Sequence, residues 1–236
     1  MNSSGIDSMI NQRWQKAQKA QKKLWNSRDI ISQVDEKYWD KMIHRGFNLN
    51  YEFFNNKDVL EIGCNATGIV FFLENANSRV GIEPADMTNL IDDWKKPIVT
   101  KGVGEQLPFE RYSFDMVICF NVLEQTLKPA KIIQEVHRVL RDKGEFLLWF
   151  HTLQDQYKFL QGVLDKVDSA RPHHFTYNEI LTLVLNNNNP FEVKEKKIFK
   201  GLGLPLNCYL PFTSSKVKNL IGTCMMNELW LWLRKI

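Results

Sequence analysis

The sequence predicts an α/β fold built on a doubly wound, mostly parallel sheet, and two observations carry that prediction. The run Asp58-Val-Leu-Glu-Ile-Gly-Cys-Asn-Ala-Thr-Gly68 reads as a short buried strand, a glycine-bounded turn and a helix starting near Gly68. Glu83 closes the next apolar run, Arg79-Val-Gly-Ile-Glu83, which completes the layout of a nucleotide pocket at the carboxyl edge of a parallel sheet. From Asp58 to about Thr152, strand-like and helical patterns alternate, which implies right-handed crossovers.

Each element follows from local pattern. Ser8 to Trp25 has helical periodicity, with Met9, Ile10, Trp14, Ala17, Leu24 and Trp25 on one side and lysines on the others. A second helix is expected from about Ser32 to His44, with Ser32 as N-cap and Asp35 and Glu36 in the first turn. These two helices form an amino-terminal cap over residues 1–50, ahead of the main domain at 51–236. Strands are expected at Val59–Ile62, Arg79–Glu83, Ile98–Val103, Phe114–Phe120 and Glu145–Phe150, all apolar runs suited to burial on both faces. Helices are expected between them at Gly68–Ala76, Met87–Trp94 and Pro129–Arg141. Pro129 suits the first turn of the last, and Asp142-Lys-Gly144 closes it. Beyond Thr152 come helices near Asp155–Lys166 and Tyr177–Leu185, then strands at Phe191–Phe199 and Glu228–Arg234. The stretch between those strands, 201–226, is too long for a hairpin turn and reads as an insertion on the substrate side.

Composition narrows the function classes. The 236 residues carry a net charge of +4, and residues 1–50 hold all of that excess with nine basic and five acidic side chains. The remainder has 22 of each sign, so no broad basic face is expected and nucleic acid is not an expected partner. No apolar run reaches the roughly 18 residues of a membrane helix. The first helix, with its aromatic and lysine residues, suits either a solvated face or peripheral contact with an anionic membrane. The amino terminus lacks the order of a signal peptide, and the four cysteines have no C-x-x-C spacing. A cytoplasmic protein with reduced thiols and no metal site is therefore expected.

The turn also discriminates among nucleotides. A dinucleotide fold needs a second glycine for close approach to a diphosphate, and here that position is Asn65, whose side chain would fill the space. Glu61 would repel a diphosphate but could hold a cationic amino group, and Glu83 can accept from two ribose hydroxyls. A ligand with an amino acid, a ribose and no phosphate fits, and S-adenosylmethionine is such a ligand.

Five segments stand in order: Glu61-Ile-Gly-Cys-Asn-Ala-Thr-Gly68, Gly104-Glu-Gln-Leu-Pro-Phe109, Ser113-Phe-Asp-Met-Val117, Asn121-Val-Leu-Glu124 and Arg138-Val-Leu-Arg-Asp-Lys-Gly144. In register they resemble class I S-adenosylmethionine-dependent methyltransferases of the type 11 family, over about residues 58–152. The resemblance implies a Rossmann-like seven-stranded sheet with its last strand antiparallel. It implies that Glu61, Gly63, Cys64, Asn65 and Gly68 lie beside the methionine part, and that Glu83 and Pro84 flank the ribose. Gly104, Glu105 and Gln106 would border the adenine, and Asn121 and Val122 the sulfonium end. Two positions depart from the family: Val103 replaces a frequent aspartate, and Gln125 a frequent histidine.

Methyl transfer to oxygen needs a proton acceptor, and histidine suits that role near neutral pH. His174, then His173, in Arg171-Pro-His-His-Phe-Thr176, and His151 directly after the fifth strand are the candidates. Tyr38 and Trp39 are the cap residues expected nearest the pocket. The acceptor is expected to be a small molecule or a sugar of a glycan or its precursor. Carbon methylation of a quinone or lipid-like acceptor, lined by Leu202–Phe212, and a non-catalytic binding subunit remain alternatives.

Overall fold

The computed structural model describes residues 12, 14, 15, 18, 19, 34–85, 97–168, 171–186, 190–201 and 225–236. Ser32, the expected helix at Met87–Trp94 and residues 202–224 of the expected insertion lie outside them, as does most of the first expected helix. Positions 12, 14, 15, 18 and 19 of that helix are helical.

Seven strands form one sheet: β1 Asp58–Ile62, β2 Ser78–Glu83, β3 Ile98–Lys101, β4 Phe114–Phe120, β5 Leu140–Leu153, β6 Phe191–Phe199 and β7 Met226–Lys235. Their spatial order is β3-β2-β1-β4-β5-β7-β6. The first five run parallel, and β7 lies antiparallel between β5 and β6. The order reverses between β1 and β4, so a crevice opens beyond their carboxyl ends, where ligands bind in open α/β sheets.

Helices cover both faces. On one, α2 (Pro129–Val139) and α4 (Tyr177–Val184) bury Ile132, Ile133, Val136, Ile180 and Val184 against Leu60, Val117 and Phe146. Pro129 occupies the first turn of α2, as expected. On the other, α1 (Glu36–Phe47) lays Trp39, Ile43 and Phe47 on Met116, Ile118, Leu147 and Trp230. Gly46 makes this seat possible, because a Cβ there would overlap the Trp230 ring. A short helix, α3 (Gln161–Val167), follows a 3-10 segment at Asp155–Leu160.

Several expected boundaries need correction. The N-cap of α1 is Asp35, whose carboxylate accepts from the Tyr38 amide (2.8 Å), and the helix starts at Glu36. The expected helix at Gly68–Ala76 is only a 3-10 turn, Ile69–Phe71. Ile69, Val70, Phe71 and Leu73 are all buried, so the segment is apolar all round instead of striped. It plugs into the core under the β1 turn and does not lie as a crossover helix. β3 stops at Lys101, because Val103 pairs back to Gln106. α2 ends at Val139, before Asp142-Lys-Gly144. β5 extends past Phe150 to Leu153, held there by β7 and by the Leu153 amide donating to the Phe175 carbonyl (2.7 Å). His151 therefore lies within β5, not after it.

Candidate active site

The turn after β1 is built by backbone geometry first. Gly63 has φ 73° and Asn65 φ 40°. A side chain at Gly63 would also collide with Val122, from the segment after β4. The Asn65 amide donates to Glu83 Oε2 (3.1 Å) and the Ala85 amide to Glu83 Oε1 (3.0 Å), so Glu83 ties the β1 turn to the end of β2. Burial raises the Glu83 carboxyl above its ordinary range, against the pull of these two amides.

Glu61 sits beneath the turn. Its Oε2 accepts from the Val70 amide (2.9 Å), and Gly68 leaves the space that this carboxyl fills. Burial pushes its pKa up to about 8, opposed by the Val70 and Ile69 amides and assisted by the Glu83 charge. α1 is fastened to the same turn, since the Trp39 indole N–H donates to the Thr67 carbonyl (2.8 Å).

Above the turn lies a cavity of about 1120 Å³ of empty space, counting the solvent at its mouth. Glu61, Gly63, Asn65, Gly68, Glu83, Pro84, Gly104, Glu105, Asn121 and Val122 all line it. Glu61, Glu83 and Glu105 are the acidic side chains among its described lining residues, and none of those residues is Lys, Arg or His. Glu105 is oriented by the Leu127 amide (2.8 Å) and the Lys128 amide (3.3 Å). Such a site suits a cationic ligand and opposes a diphosphate.

Three expected cofactor contacts differ in detail. Cys64 is buried among Val70 and Phe71 with its sulfur against Gly81, and it does not line the cavity. Gln106 is exposed outside the cavity, on the turn paired with Val103. The Asn65 side chain is committed locally. Its Oδ1 accepts from the Thr67 amide (2.6 Å) and hydroxyl (2.7 Å), an Asx turn. The argument against a diphosphate therefore rests on the carboxylates.

The histidines separate sharply. His174 is 2% exposed, with Nδ1 on Asp165 (2.9 Å) and Nε2 3.5 Å from Asp168. Burial lowers its pKa, but the bonds to the two aspartates outweigh that and raise it overall. With both nitrogens committed and no place in the cavity lining, His174 is a clamp between α3 and the loop before α4. His173 stacks on Phe175, its Nε2 is 2.9 Å from the Thr126 carbonyl, and it is likewise outside the lining. The two histidines ranked first are thus both held by other segments. His151 is also outside the lining, but it is half-buried with its Nδ1 unpartnered, and its ring lies 6.3 Å from that of Trp149, which does line the cavity. Burial and the Arg171 charge lower its pKa, against Glu228.

The raised pKa of His174 has a consequence for stability. Its stabilisation is fully present below the unfolded pKa and is lost as pH rises through the folded value. His174→Leu is expected to lower the unfolding free energy by roughly 1–3 kcal/mol at pH 6. Denaturant titrations should show that deficit shrinking in alkaline buffer.

Sequence reasoning missed the aromatic wall. Phe120 and Trp149 line the cavity with Tyr38 and Trp39, and these rings pack on one another: Trp39 on Phe120 at 5.7 Å, Phe120 on Trp149 at 5.8 Å. The available signal was an aromatic residue near the carboxyl end of two adjacent strands. Among the described residues, no cluster of His, Cys, Asp or Glu could hold a metal, and no helix is long and apolar enough to cross a membrane.

Comparison with known proteins agrees with this geometry. Residues 60–148 match the family described as Methyltransferase domain. A tRNA U34 carboxymethyltransferase of Nautilia profundicola is 35% identical over 101 residues, 39% of this chain and 34% of that protein. A thiol S-methyltransferase of Mus musculus is 28% identical over 117 residues, 43% of this chain and 45% of that protein. The chain thus spans less than half the length of these two relatives. The YcgJ protein of Bacillus subtilis superposes with a TM-score of 0.61 at 16% identity, covering 81% of this chain and 98% of that one. The [4+2]-cyclase SpnF also superposes, with a TM-score of 0.57 at 13% identity, over 84% of this chain and 79% of that one. At such identities the likeness shows the fold alone. A relative named for tRNA also means that a neutral charge balance does not set nucleic acid aside.

Proposed function

We propose that this protein, whose residues 60–148 match the methyltransferase domain family, is a class I methyltransferase that transfers a methyl group from S-adenosylmethionine to a hydroxyl of a small molecule or a glycan sugar. The observation that carries this reading is the cavity at the β1/β4 reversal, with three carboxylates and no cationic side chain among its described lining residues. The donor supplies an activated methyl on a sulfonium, so the protein's task is placement. In this reading Glu61 and the Gly63–Gly68 turn hold the amino-acid end, and Glu83 with Pro84 takes the ribose. Gly104 and Glu105 border the adenine, and Asn121 with Val122 faces the methyl. Residues 1–50 act as a cap on the 51–236 catalytic domain, and 201–226 belongs to the acceptor side.

A second reading, suggested by the name of one relative, is transfer of a carboxymethyl group. That group brings an extra carboxylate, which the acidic lining disfavours. Calorimetry with S-adenosylmethionine, its demethylated product S-adenosylhomocysteine, and NAD tests the donor. Heat with the first two and none with NAD is expected, and silence with both would end the proposal.

Protonation gives an independent check. A carboxyl with pKa about 8 is mostly protonated at pH 7, and a donor ammonium beside it favours the ionised form. Product binding at pH 7 should therefore release close to one proton. Heats measured in two buffers of different ionisation enthalpy would show this, and Glu61→Gln should abolish the difference.

A further inference from the structure

Two buried polar atoms of cavity-lining residues, Asn121 Oδ1 and Trp149 Nε1, have no hydrogen-bond partner, and neither has His151 Nδ1, whose ring lies 6.3 Å from that of Trp149. Buried polar atoms are rarely left unpaired, and a cluster of them at a cavity points to a missing ligand. The three belong together. The Asn121 amide donates to the Trp149 carbonyl (2.7 Å), fixing Asn121 beside β5. Trp149 and His151 are two residues apart on β5, hence on one face of the sheet. Trp149 is 6% exposed and held rigid by its stack on Trp230, at 4.6 Å and 9°.

We propose that these atoms and the aromatic wall form the acceptor seat, and that the acceptor is a planar aromatic ring bearing a hydroxyl. The inference rests on the methyltransferase reading above and narrows its acceptor. The indole N–H can donate to a hydroxyl oxygen, and the single hydroxyl proton can go to the imidazole nitrogen or to the amide oxygen. A bare carbon nucleophile would leave them unpaired. The wall of Tyr38, Trp39, Phe120 and Trp149 offers rings for offset or edge contact with a flat ligand.

In this seat His151 accepts the acceptor's O–H proton at Nδ1 as the oxygen lone pair forms the new O–C bond. The C–S bond breaks with its electron pair kept by sulfur, and the proton later leaves to water. Glu228 lies directly across the β5/β7 ladder from His151 and pairs with Arg45 of α1, which stacks over Phe199. Arg171 and Tyr38 are the other ionisable groups that sense this corner, Arg171 through His151 and Tyr38 through Glu228. Arg171 favours the neutral imidazole that a base requires.

The test uses the full chain with 4-fluorophenol as the probe, followed by fluorine NMR with and without saturating S-adenosylhomocysteine. Methyl α-glucopyranoside serves as the non-planar competitor. Broadening of the probe signal is expected, with no displacement by the glucoside. Trp149→Leu and, independently, Tyr38→Leu should weaken probe binding roughly three- to tenfold. Probe affinity should fall as pH drops through the His151 titration, and His151→Gln should flatten that dependence. Absence of probe binding while S-adenosylhomocysteine binds would overturn the seat and leave the donor reading intact. Displacement by the glucoside, or indifference to both wall substitutions, would overturn it too. Loss of S-adenosylhomocysteine binding alone would instead strike the donor reading, since the phenol arm is also read without it.

Discussion

Glu83→Ala is expected to weaken S-adenosylhomocysteine binding by about a hundredfold or more. A carboxylate accepting two ribose hydroxyls contributes roughly 1.5–3 kcal/mol per bond, because each is charge-assisted. The same carboxylate holds the Asn65 and Ala85 amides, so its removal also loosens the turn that contacts the amino-acid end. Glu83→Gln keeps one acceptor oxygen and should fall between wild type and alanine. Calorimetric titration, with a thermal melt to confirm folding, measures the effect. Unchanged affinity in Glu83→Ala would take the ribose role away from Glu83.

Gly46→Ala should destabilise the protein by about 2–3 kcal/mol, although alanine is the better helix former. Propensity alone would favour the substitution by up to about 1 kcal/mol. Against it stands the overlap of the new Cβ with Trp230, a fully buried ring stacked on Trp149 that cannot retreat. Forcing a methyl into a contact usually costs about 1–3 kcal/mol and more where the neighbour is rigid, so about 3–4 kcal/mol here and about 2–3 kcal/mol net of propensity. The melting temperature should drop by roughly 5–10 °C at this chain length. Because α1 carries Tyr38 and Trp39 to the cavity, 4-fluorophenol binding should weaken in the same variant. A melting temperature equal to or above wild type would mean that α1 is not seated on Trp230.

The parts of the site that were legible in the sequence are those fixed by local backbone chemistry. Gly63, the acid at the end of β2 and the apolar runs of β1 and β4 each need one residue type at one place, and the structure has them there. Phe114–Phe120 and Phe191–Phe199 were bounded correctly because turn or polar residues flank both. The Gly68–Ala76 segment failed for the opposite reason. A short apolar run does not say whether it is a helix or a plug, and burial of Ile69, Val70 and Phe71 on all sides made it a plug.

The histidines show where local reading ends. His173 and His174 look available in Arg171-Pro-His-His-Phe-Thr176, yet Asp165, Asp168 and Thr126 reach them from other segments. His151 reads as the third candidate base, and its register against Glu228 and beside Trp149 leaves Nδ1 without a partner. By itself the sequence determined the fold class, the glycine-bounded turn after β1 and the acidic character of the pocket, because these depend on residues near one another in the chain. Only the tertiary structure decided which of the three candidate histidines keeps an unpartnered nitrogen and which rings wall the cavity. Those depend on strand pairing and on the seat of α1, which bring together side chains from about position 38 to position 230, and no local pattern encodes such meetings.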